Sequence, residues 1–100
     1  MMIKANKCLE LGLPTPYSFE TNASYTYRLM VEGYQINTRQ ALYIKLNNLH
    51  SIKSSLLNKK GIQFESKLAC AYCPDLDCVP KEPVIHMFMT QEQREYELSK

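Results

Sequence analysis

Residues 36–64 read INTRQALYIKLNNLHSIKSSLLNKKGIQF, and how this stretch is parsed decides the fold. Asn37 or Thr38 caps a helix, because a short oxygen-bearing side chain there accepts from the free amides of the first turn. Ala41, Leu42 and Leu46 point to a core, and the helix ends near Lys45 or Leu46. Asn47 and Asn48 make a tight turn, since asparagine tolerates the left-handed conformation better than other non-glycine residues. The next helix covers residues 49–60. Leu49, Ile52 and Leu56 recur at i, i+3 and i+7, with Leu57 widening the stripe, and Ser51, Ser54, Ser55 and Asn58 take the opposite side. Lys59 and Lys60 fall in the last turn, where the helix dipole favours cations. Gly61 stops the helix. Residues 62–68 then alternate apolar and polar with the period of a half-buried strand.

The flanks extend this pattern. Residues 4–11 suit a short helix with Ile3, Cys8 and Leu11 on one side, stopped by Gly12 and by Pro14 and Pro16. Residues 14–20 read as an irregular arm. A helix over residues 23–32 is capped by Asn22, carries Ala23, Tyr27, Met30 and Val31 as its stripe, and ends at Gly33. Residues 34–36 suit a short strand. Residues 84–89 form another strand, which pairs with 62–68 as a long hairpin around residues 72–83. A polar helix begins near Thr90. The expected architecture is α+β in one domain of residues 1–100: an arm (1–20), a three-helix core (22–60), a hairpin (62–89) and a terminal helix (90–100).

Charge is unevenly spread. Residues 36–67 hold six cations (Arg39, Lys45, Lys53, Lys59, Lys60, Lys67) and one anion (Glu65), while residues 68–100 hold three cations and six anions. The chain's net charge of +2 conceals this asymmetry. A chain of 100 residues supports one modest core. No stretch approaches the roughly 20 apolar residues of a membrane span, and Lys4, Asn6, Lys7 and Glu10 interrupt any signal-peptide core. The expected location is the cytoplasm, with no membrane contact.

The order of helix, paired helices and hairpin resembles winged helix-turn-helix domains, in particular the small ones of phage and prophage genomes. The matching stretches are Thr38-Arg39-Gln40-Ala41-Leu42 and Leu57-Asn58-Lys59-Lys60-Gly61-Ile62, about a third of the chain. In that family an aliphatic lies three residues before the leucine closing the second helix. With Leu57 that position is Ser54; with Leu56, Ile52 lies four residues back, and both registers stay open. The resemblance implies a small DNA-binding protein, a transcriptional regulator, with the 49–60 helix in the major groove. Ser51, Ser54 and Asn58 would then meet base edges, and Arg39, Lys53, Lys59 and Lys60 phosphates, with His50 and Lys67 also among the DNA-binding residues. Serine reads bases ambiguously, so two half-sites read by a homodimer are expected to supply specificity. Apolar side chains on both faces of the 84–89 strand point to the same pairing.

The run Cys70-Ala-Tyr-Cys73-Pro-Asp-Leu-Asp-Cys78 has C-x2-C-x4-C spacing, with His86 beyond it. Three thiolates and an imidazole can hold Zn²⁺ in a tetrahedron, with Cys8 as an alternative fourth ligand. The other reading is structural: Cys70 shares a strand face with Ile62, Phe64 and Leu68 and is a small buried hydrophobe, and Pro74-Asp75 is an ordinary turn. Cys73 with His50 or His86 lacks the orienting partner a nucleophile needs. The three isolated glycines form no phosphate loop, so no enzymatic activity is expected. A second functional reading uses the same scaffold against a protein partner, through Tyr17, Phe19, Tyr25, Tyr27 and Tyr34.

Overall fold

A computed structural model of the chain describes residues 3–46, 49–59, 61–74 and 76–99. Among them are five helices: α1 (Ala5–Glu10), α2 (Asn22–Val31), α3 (Thr38–Tyr43), α4 (Leu49–Ser54) and α5 (Gln91–Leu98). Three antiparallel strands, β1 (Ile36–Asn37), β2 (Glu65–Ala69) and β3 (Val84–Phe88), form one sheet in the order β1-β3-β2. Ile36 pairs with Met87, and Leu68 with Ile85. The two-residue strand between α2 and α3 therefore ties the helices to the far strand of the hairpin. None of these helices is long and apolar enough to cross a membrane.

Helix starts follow local chemistry. The Asn37 side chain accepts from Gln40 N, and the Gln40 side chain returns to Asn37 N, a reciprocal box that starts α3. Thr90 and Gln93 repeat it at α5. At α2 the cap is Thr21, one residue before the expected Asn22; its hydroxyl accepts from Ser24 N at 3.1 Å. The α2 stripe is also shifted. Tyr25, Thr26, Leu29 and Met30 are buried, whereas Ala23, Tyr27 and Val31 pack at the margin. Both stripes obey helical periodicity; what lies opposite selects between them.

The end of α3 carries a left-handed residue that is not glycine. Lys45 has φ +65°. Its amide donates to Leu42 O at 3.2 Å, and that of Leu46 to Ala41 O at 2.7 Å, the paired bonds of a helix C-terminal motif. The expected Asn47-Asn48 turn lies outside the described residues. A left-handed L-residue costs roughly 1–2 kcal/mol, against about 0.4–1 kcal/mol of extra chain entropy for glycine. Lys45→Gly is therefore expected to raise stability by roughly 0.5–1 kcal/mol, read as a higher urea midpoint at unchanged m.

The register of α4 resolves to Leu56. Leu49, Ile52 and Leu56 are buried in the core, while Leu57 is 42% exposed. Beyond Ser54 the helix continues over Ser55–Lys59 with wider, π-type turns. It closes where Ile62 N donates to Leu56 O at 3.0 Å, with Gly61 at φ +63° between them. In α3, Leu42 lies in solvent instead of the expected core, and Ile44 and Leu46 fill that space.

β2 begins at Glu65, later than expected. Ile62 and Phe64 are still core residues, but the alternation ends there: from Glu65 to Leu68 every residue of β2 is exposed. So is Cys70, which corrects its reading as a buried thiol; of the three hairpin cysteines the buried one is Cys73. In β3, Met87 is fully buried, and Phe88 is half-buried with the Lys67 ammonium 5.4 Å from its ring centre. α5 packs back on α2. Arg94 Nε donates to Val31 O at 2.9 Å, with its guanidinium against Gly33, where a Cβ would sit 3.1 Å from Cζ. Tyr27 Oη donates to Glu97 Oε1 at 2.6 Å, and burial beside that carboxylate pushes the phenol pKa up to about 12.

Candidate functional site

The outer side of α4 gathers most of the expected contact residues. His50, Ser51, Ser54 and Asn58 are exposed, opposite buried Leu49, Ile52 and Leu56. Lys53 is half-buried on the flank. The Lys59 side chain and Lys60 lie outside the described residues. Residues 33–64 contain no Asp or Glu. The nearest carboxylate along the chain, Glu65, accepts from Gln93 Nε2 of α5 at 2.9 Å.

Two expected cations are placed apart from this face. Arg39, in the first turn of α3, turns to the segment just before β3. Its Nη2 donates to Glu82 O at 3.4 Å, and its Nε is buried without an acceptor. Lys67 lies on β2, with its ammonium over Phe88. α4 thus offers short polar groups, and the hairpin offers cations beside it in sequence.

The four expected metal ligands are not assembled. Cys73 and Cys78 face each other across an antiparallel bridge. The Cys70 thiol donates to Lys81 O at 3.4 Å. His86 sits in β3 opposite Lys67, with Nε2 3.2 Å from Ala69 O. Cys8 is buried beneath α2, with its sulfur 3.3 Å from Tyr25 Oη. Desolvation pushes the Cys8 thiol pKa up, which makes it a poor ligand. Among the described residues no group of three or more His, Cys, Asp or Glu is placed to hold a metal ion.

The N-terminal arm holds an arrangement that sequence reasoning missed. Arg28 of α2 donates through Nε and Nη2 to the two carboxylate oxygens of Glu20, both at 2.8 Å. It also donates to Thr15 O at 2.8 Å and stacks on Tyr17, 4.4 Å from the ring centre. Tyr17 in turn stacks on Phe19 at 5.4 Å, leaving Phe19 81% exposed. Tyr25 Oη anchors the arm's start by donating to Pro14 O at 2.6 Å. The arm lacks a cation of its own, and α2 supplies one from eight residues downstream of Glu20. Its signal in the sequence is Arg28 itself, the one basic residue of α2. A separate open groove of about 380 Å³ lies between Gly61 and Gln63 and the α5 residues Glu92, Gln93 and Tyr96. Glu92 makes it unsuited to phosphate.

No protein-family model matches the chain, and neither a curated protein nor a solved structure shows significant similarity to it.

Proposed function

We propose that the chain is a small winged-helix DNA-binding protein, acting as a transcriptional regulator, with α4 in the major groove. One observation carries this reading: the exposed polar face of α4 lies in a stretch of 32 residues, 33–64, that holds cations and no carboxylate. The connectivity α2-β1-α3-α4-β2-β3, with β1 paired to β3, supports it as the order such a scaffold requires. Ser51, Ser54, Asn58 and His50 are short enough to touch base edges without dictating one base. Lys53, Lys59 and Lys60, with Lys67 on the hairpin, neutralise phosphates. Arg39 joins them by releasing its long bond to Glu82 O. A homodimer would double the site and sharpen a weak reading.

The test is fluorescence anisotropy with mixed-sequence duplexes across about 50–200 mM salt. Binding is expected to weaken steeply with salt. Lys53/Lys59/Lys60→Ala is expected to reduce the log–log salt slope by about 3, one per lost phosphate contact, with the thermal melt unchanged. Salt-independent behaviour, or a triple variant that binds like the parent, would reject the reading.

The exposed Tyr17–Phe19 stack favours a second reading, a protein-contact role for the N-terminal arm. Tyrosine and phenylalanine held rigidly at a surface lose little entropy on binding. Replacement of Phe19 by Ala is expected to leave DNA affinity unchanged and to abolish such a contact.

A further inference from the structure

We propose that Cys73 and Cys78 are a redox pair that closes to an intrachain disulfide across the β2–β3 hairpin. Three thiols within nine residues, Cys70, Cys73 and Cys78, allow three pairings, and spacing alone does not choose among them. The fold does choose. Cys73 and Cys78 are direct partners in an antiparallel bridge. Cys73 N donates to Cys78 O at 2.7 Å, and Asp77 N donates to Cys73 O at 2.9 Å. Opposed residues in such a bridge project to the same side, with Cα atoms about 4.5–5.5 Å apart. A disulfide spans about 4.4–6.8 Å between Cα atoms, so closure needs side-chain rotation and little backbone movement. Tyr72 Oη donates to the Asp77 carboxylate beside the pair and holds the two strands together. Cys70 is held on Lys81 O, and Cys8 is buried under Tyr25.

Exposure orders the chemistry. Cys78 is exposed and Cys73 is only 8% accessible, so an external oxidant reaches Cys78 first. The Cys78 thiolate attacks one sulfur of glutathione disulfide and expels a glutathione thiolate, leaving a mixed disulfide. The Cys73 thiolate then attacks the Cys78 sulfur and releases the second glutathione. In the net reaction two protein thiols lose two protons and two electrons, and one glutathione disulfide is reduced to two glutathione thiols. The bond ties together the two sides of the connection between β2 and β3, so oxidation fixes the tip of the hairpin that follows α4.

The full-length protein is equilibrated with glutathione buffers of graded ratio, quenched by alkylation, then reduced and alkylated with a second reagent. Cleavage after Lys67 and Lys81 puts all three hairpin thiols in one peptide, residues 68–81, and fragmentation assigns each label. The expected oxidised form carries the second label at Cys73 and Cys78 and the first at Cys70. The 73–78 pairing should exceed 70–73 at least tenfold in the native protein, and this preference should vanish in denaturant. Cys70→Ser should close at the parent's ratio. Cys73→Ser should trap glutathione on Cys78, and faster than Cys78→Ser traps it on Cys73. Pairing through Cys70, disulfide-linked dimers, or four thiols still free in excess glutathione disulfide would overturn the proposal. So would stoichiometric zinc that shields the three hairpin thiols.

Discussion

Arg28→Ala is expected to destabilise the protein by about 3 kcal/mol, measured as a lower denaturant midpoint. The Glu20 and Arg28 side chains are only 6% and 18% exposed, and their contact is a two-pronged fork. Breaking a buried pair by removing one partner costs about 3–5 kcal/mol, because a desolvated charge is left alone. Arg28's residual exposure puts this case at the lower end. The variant also frees Thr15 O and the Tyr17 ring, so the arm should loosen and become accessible to protease. Arg28→Lys keeps the charge but loses the planar fork and most of the stacking; it should cost about half as much.

The same pair sets an acid dependence. The Arg28 hydrogen bonds hold the Glu20 carboxyl below its usual range, against the opposing effect of burial. A carboxylate with a lowered folded pKa stabilises the fold fully above its unfolded value, about 4.3, and loses that contribution as pH falls through the folded value. The parent should therefore lose stability below about pH 4. In Arg28→Ala the unpartnered carboxyl protonates readily, so the gap between the two proteins should narrow there. A gap that stays constant from neutral pH to pH 3 would remove Glu20 as its source.

The second large effect concerns α4. Leu56→Ala is expected to cost about 2–5 kcal/mol, since a fully buried leucine leaves a cavity as well as losing transfer energy. Leu57→Ala, at a position 42% exposed, should cost less than about 1 kcal/mol. The pair tests which register α4 adopts, and with it which polar residues face outward. Thermal or denaturant melts decide it, and equal or reversed costs would place Leu57 inward and turn Ser54 toward the core. On the proposed DNA-binding reading, Leu57→Ala should bind as the parent does, whereas Leu56→Ala should bind weakly because less of it is folded.

Features governed by nearest neighbours could be read from the residues. Gly12, Gly33 and Gly61 all adopt positive φ at helix ends. Asn37 caps α3, and a polar helix follows Thr90. Each depends on groups within a few positions, so the information is local. The buried stripe of α2 could not be read the same way. Tyr25 and Tyr27 can each join Met30 in a helical stripe, and only the packing of α1 and Cys8 against Tyr25 makes Tyr25 the inner one. Leu42 is expected in the core with Ala41 and Leu46, but the packing buries Ala41, Ile44 and Leu46 and leaves Leu42 in solvent. Glu20 and Arg28 belong to different elements, and nothing in spacing joins them.

For the candidate site, the sequence alone determined the cation-rich stretch, the absence of carboxylates from residues 33–64 and the short polar character of the 49–60 helix. Those are properties of residue type and order. Only the tertiary structure decided that Leu56 points inward, that Arg39 turns to Glu82, that Cys73 meets Cys78 and that Cys70 lies in solvent. The physical reason is that burial is a relation between elements. A helix or strand states which residues share a face, but the surface packed against it selects the face that loses water.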